Sequence, residues 1–145
     1  LLDEVGIDMN QLRFLLRDDD EYGHRANLTI ADVVLDTFPY NGATTTLETL
    51  WMNVPMVTKV GEAFVARNSY TFMKNAGLTE GIAWTDEEYV DWGIRLGTDR
   101  KLRQQVRGKL LTSRKTSPLW NARQFTKDME SAYQAMWQKY LEQQN

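Results

Sequence analysis

The sequence predicts an α/β chain: a parallel sheet of three to four strands, flanking helices and a long C-terminal helix. Three observations predict it. Val33-Val34-Leu35 and Val54-Pro-Met-Val-Thr-Lys-Val60 are short runs rich in β-branched and apolar residues, the pattern of strands covered on both faces. Helical patterns separate these runs, and strand–helix alternation builds parallel sheets joined by right-handed crossovers. Finally, Phe125, Met129, Ala132, Met136, Trp137 and Tyr140 recur at helical spacing through the last twenty or so residues.

In chain order, residues 1–11 read as the end of a helix. Leu12 to Arg17 is an apolar run of strand length, closed by Asp18-Asp19-Asp20. That triplet suits a helix start, because carboxylates satisfy the free N–H groups and oppose the dipole. A helix over 20–30 follows, then a strand near Val33–Asp36, a turn, and a helix over 45–52. The strand Val54–Val60 carries proline only near its start. Gly61-Glu62 lead into a helix to about Asn75, with Phe64, Ser69, Phe72 and Met73 expected on its buried side and Gly77 as its stop. Ile82-Ala-Trp84 reads as an edge strand, and Thr85-x-x-Glu88 as a capping box opening a helix to about Leu96. The next helix, 99–114, is rich in Arg and Lys; its basic residues spread around the cylinder and read as a solvated face. Ser117-Pro118 breaks the chain, and the final helix, 121–142, is expected to pack its aromatic and methionine stripe across the domain. A sheet this small leaves one edge raw, through which copies of the chain are expected to self-associate.

Composition narrows the function. The chain of 145 residues is 42% hydrophobic and 26% charged, ordinary for one globular domain. A net charge of −3 argues against broad nucleic-acid binding, which needs a basic surface. Zero cysteines exclude disulfides and thiol nucleophiles, and one histidine argues against a metal site. No run has the length of a membrane span and no signal peptide opens the chain, so a cytoplasmic location is expected.

The stretch Ala31–Trp51 organises the rest: a buried strand, a turn with Pro39, Asn41 and Gly42, then a helix start at Thr44-Thr45-Thr46. Open α/β sheets bind ligands where a strand's carboxyl end feeds a helix N-terminus. The free N–H groups and positive dipole end there favour phosphate. The plainer reading is that Thr45-x-x-Glu48 is a capping box. The elaborate approach Asp36-Thr-Phe-Pro-Tyr-Asn-Gly42 favours a nucleoside diphosphate, with hydroxyls for phosphate and a carboxylate one turn on for ribose.

Asp36-Thr37-Phe38-Pro39-Tyr40-Asn41-Gly42-Ala43-Thr44-Thr45-Thr46-Leu47-Glu48 resembles the nucleotide-sugar-binding segment of the O-GlcNAc transferase/SPINDLY family of TPR-containing protein O-glycosyltransferases. The resemblance continues through Val54-Pro55-Met56-Val57-Thr58, Leu96-Gly97-Thr98-Asp99, Ser117-Pro118-Leu119-Trp120-Asn121 and Met136-Trp137-Gln138-Lys139-Tyr140. It implies a Rossmann-like fold, the C-terminal half of a GT-B arrangement. Residues 1–145 are then a single domain within that nucleotide-sugar-binding half, with the N-terminal catalytic half and upstream TPR repeats as missing partners. It implies inverting transfer from UDP-GlcNAc or GDP-fucose to Ser or Thr of acceptor proteins, with no metal cofactor. His24, Gly42, Thr44, Thr45, Thr46 and Glu48 are the donor-binding residues it implies, and Arg67 is a further candidate for sugar or acceptor. No catalytic base is identified. Glu21 and Ala43 depart from the O-GlcNAc transferases, which place a phosphate-binding lysine and a second histidine there. These departures keep open an alternative, a non-catalytic nucleotide-binding or regulatory/assembly module. The isolated chain is expected to be inactive, since half of the cleft is absent.

Overall fold

Two of the predicted strands meet side by side. The computed structural model describes residues 6–15 and 20–144. Its sheet has three parallel strands in the order β1 (Val34–Leu35), β2 (Met56–Lys59), β3 (Ile82–Ala83). Val34 pairs with Met56, and Thr58 with Ile82. Among the described residues six α-helices accompany it: α1 (Glu21–Leu28), α2 (Thr44–Trp51), α3 (Asn68–Asn75), α4 (Asp86–Thr98), α5 (Arg100–Thr116) and α6 (Ala122–Glu142). The predicted α/β architecture with a parallel sheet and a long C-terminal helix is therefore the one observed.

The central strand carries the core. Met56, Val57 and Thr58 are all buried, and Leu50 of α2, Met73 of α3, Leu96 of α4, and Val106 and Leu110 of α5 close around them. The helix starts follow their sequence signals. Asp20 accepts from the N–H of Gly23, Thr85 from Glu88, Asp99 from Leu102 and Asn121 from Gln124. Gly77 takes the left-handed conformation (φ +81°) that ends α3.

Several expectations are corrected. Residues 12–15 form no strand, and Phe14 is 86% exposed. An apolar run becomes a strand only beside a pairing partner, and none of the described residues pairs with the outer edge of β1. Leu16 to Asp19 and residues 1–5 lie outside the described residues, so the N-terminal helix is represented only by a 3-10 turn at Met9–Gln11. The helix expected from Gly61 is a 3-10 turn at Phe64–Ala66 followed by α3, with Ser69 and Met73 buried but Phe64 exposed. Arg103 of the basic helix is not a solvated residue: it donates to the carbonyls of Leu96 and Gly97 and pairs with Asp32.

The largest correction is α6. None of its residues is buried; Phe125 is 65% exposed and Trp137 58%. The stripe is expected in the core, yet α5 takes that place against α2 and α4, and α6 meets chiefly the 3-10 turn at Pro118–Trp120. The stripe closes partly on itself, with Trp137 and Tyr140 stacked at 5.7 Å. No helix among the described residues is long and apolar enough to cross a membrane.

Candidate nucleotide site

The site is built where β1 ends. Asp36, the residue after the strand, is buried and turns inward, because its carboxylate has three donors to meet. Oδ1 accepts from the N–H groups of Thr37 at 3.0 Å and Gly42 at 2.9 Å, and Oδ2 from the Thr58 hydroxyl at 2.7 Å. The loop between is held further by Asn41, whose amide donates to the Thr37 carbonyl at 2.9 Å. Tyr89 of α4 donates its hydroxyl to the Asp36 carbonyl at 2.8 Å. Burial, and then the nearby Asp36 charge, push the Tyr89 hydroxyl above its ordinary pKa.

The loop delivers the chain to α2 with no cap. Ala43 is the N-cap position and no side chain accepts from the first turn. The capping box of the plainer reading is therefore not formed: Thr45 lies inside the helix, and Glu48 turns away from the helix start. The first-turn N–H groups have no intrahelical acceptors. Thr44 and Thr45 flank them with exposed side chains.

Glu48 is instead gripped by α1. Its Oε1 lies 3.3 Å from Arg25 Nε, and its Oε2 lies 3.3 Å from His24 Nε2. Arg25 also holds Glu21, one turn before it, at 3.0 Å. Glu21 is thus an orienting partner of the cation beside the site. Beyond Glu48, a cavity of about 340 Å³ opens between Arg25, Leu47, Trp51 and Trp120.

The structure gathers most of the residues singled out in the sequence and separates two. His24 lies on α1, Gly42 in the loop just before α2, and Thr44, Thr45 and Glu48 on the first turns of α2. Thr46 is fully buried and bonds Ser69 at 2.8 Å, so it offers no surface to a ligand; it belongs to the support of the turn. Gly42 is required there, since a Cβ would stand 2.5 Å from the Thr46 hydroxyl oxygen. Arg67 donates to the Gly61 carbonyl at 3.0 Å and lies against Tyr70 and Trp84. Asp36, Thr58, Ser69 and Arg25 were missed. A signal existed only for Asp36, a carboxylate directly after an apolar strand, although Leu35 of that strand is exposed rather than covered as expected.

Known proteins resemble this arrangement along nearly the whole chain. The model of glycosyl transferase family 41 matches residues 2–129. A Petunia hybrida protein, the probable UDP-N-acetylglucosamine–peptide N-acetylglucosaminyltransferase SPINDLY, is 32% identical over 142 residues, 98% of this chain and 15% of that protein. The Caenorhabditis elegans UDP-N-acetylglucosamine–peptide N-acetylglucosaminyltransferase is 36% identical over 138 residues, 94% of this chain and 12% of that protein. The chain thus spans a small part of these relatives' length. A solved structure, a point mutant of the Thermobaculum terrenum O-GlcNAc transferase, superposes with a TM-score of 0.84 at 36% identity, over 95% of this chain and 26% of that one. By motif, sequence and fold alike, the chain belongs to glycosyl transferase family 41, with the O-GlcNAc transferase and SPINDLY proteins.

Proposed function

We propose that this chain is the nucleotide-sugar-binding part of an inverting protein O-glycosyltransferase that uses UDP-GlcNAc or GDP-fucose. The observation that carries the reading is the uncapped start of α2, after a loop pinned by the buried Asp36 and Asn41 and one turn from Glu48. A helix begun without a side-chain cap leaves N–H groups and a positive dipole end for an anion. Thr44 and Thr45 add hydroxyl donors. Glu48 uses one contact per oxygen on His24 and Arg25, and a carboxylate has about four acceptor positions, so ribose hydroxyls still find acceptors there.

In the reaction, an acceptor Ser or Thr oxygen bonds to the anomeric carbon from the face opposite the diphosphate. The bond from that carbon to the phosphate oxygen breaks, and its electron pair leaves with the nucleoside diphosphate. The charge growing on the leaving group faces the α2 N–H groups, which stabilise it without a metal. The acceptor protein and its deprotonating base belong to the other half of the cleft, so this chain is read as one lobe, inactive in isolation.

Calorimetric titration of the full-length protein with UDP and GDP tests the site. One nucleotide is expected to bind, and Glu48→Ala to weaken it roughly 10- to 100-fold, the worth of hydrogen bonds to a charged group. Absence of binding by either nucleotide to the unmodified protein would overturn the reading.

A further inference from the structure

Gly42 is held from both sides by side chains that a ligand cannot touch. Its N–H donates to Asp36 Oδ1 at 2.9 Å, and its carbonyl accepts from Ser69 Oγ at 3.4 Å. The same Asp36 carboxylate reaches Thr58 on β2, and the same Ser69 hydroxyl meets Thr46 inside α2. Thr46, Thr58 and Ser69 are fully buried, and Asp36 is 8% exposed. Burying a carboxylate is costly unless it is fully hydrogen-bonded, and a loop with no geometric task closes more cheaply on apolar side chains.

We propose that Asp36 and Ser69 are positioning residues: a clasp on Gly42 that fixes the uncapped α2 N-terminus for the diphosphate. The inference rests on the nucleotide reading above. Neither residue touches the ligand; both act through the backbone of 42–45.

The test uses the full-length protein and two readouts, hydrogen exchange of the 37–47 segment without nucleotide, and the Kd for UDP and GDP. Asp36→Ala is expected to lower exchange protection and nucleotide affinity each by about tenfold or more, and Ser69→Ala by about threefold. Asp36→Asn should restore both to within about threefold, because its Oδ1 still accepts while its amide donates to Thr58 after the hydroxyl rotates. Thr85→Ala, at the cap of another helix, should change neither. Unchanged exchange or unchanged affinity in Asp36→Ala would overturn the clasp, as would an equal loss in Thr85→Ala. Should Asp36→Ala fail to fold, Ser69→Ala and Asp36→Asn decide by the same criteria. A protein that binds no nucleotide before any substitution removes the site reading, and the positioning role with it; a site that binds but ignores Asp36→Ala removes the clasp alone.

Discussion

Two stretches of this chain share one pattern, Thr45-x-x-Glu48 and Thr85-x-x-Glu88, and the fold uses them in opposite ways. At α4 the threonine is the N-cap: its Oγ1 accepts from the Glu88 N–H, and Glu88 reaches back to the N–H of Trp84. Two donors of that helix start are thus met by its own side chains. At α2 the helix begins one residue before Thr45, no side chain caps it, and Glu48 is drawn to His24 and Arg25. The preceding residue makes the difference. Thr85 enters α4 in extended conformation, whereas Ala43 enters α2 at φ −122° and ψ −83° from a loop already anchored by Asp36. One helix start is spent on stability. The other is left open, and open donors are what an anionic ligand needs.

This contrast can be broken by substitution. The largest effect is expected at Glu48: Glu48→Ala should cost roughly 10- to 100-fold in nucleotide affinity by calorimetry while the unfolding midpoint moves little. An equal fall in stability would mean that Glu48 caps α2 after all. Thr85→Ala should do the reverse, losing about 1 kcal/mol of stability in urea titration with nucleotide affinity unchanged.

Ala43→Asp sharpens the difference further, because it places a carboxylate at the open helix start. It should stabilise the fold by roughly 0.3–1 kcal/mol through the dipole and weaken nucleotide binding by charge repulsion. Stability and affinity rising together would argue against an anion at that end.

The smallest effect is expected from pH. Backbone N–H donation, then the Thr85 hydroxyl, hold the exposed Glu87 carboxyl at the α4 start below its ordinary value of 4.5. A lowered folded-state pKa gives stability that is present above the unfolded value and lost as pH falls through the folded one. The stability gap between wild type and Glu87→Gln should therefore close on acidification below about pH 4.5. A gap that persists at pH 2 would show that the carboxylate charge is not its source.

The two long C-terminal helices make a second comparison. Both α5 and α6 are amphipathic by sequence. Leu110 of α5 is fully buried, whereas Trp137 of α6 is 58% exposed. Periodicity states that a face is apolar; it does not state what covers the face. The same gap explains Leu12–Leu15, apolar in sequence and unpaired in the fold. The basic helix shows it in reverse: Arg103 looks like a surface charge until its carbonyl partners at the end of α4 are seen.

Local patterns were enough to place the three strands that pair, the order of helices and the caps at Asp20 and Thr85, because each depends on neighbours within a turn or on a period of two or 3.6. They also pointed to the candidate site, since a strand end feeding a helix start is a contiguous feature. Which side chains would face a ligand was decided elsewhere. Thr46 bonds a hydroxyl 23 residues away, Asp36 one 22 away, and the Asp36 carbonyl a phenol 53 away. No local pattern encodes those partners, and they separate three consecutive threonines into two exposed residues and one buried support. Burial is a property of what packs against a residue, and only the folded chain brings those neighbours together.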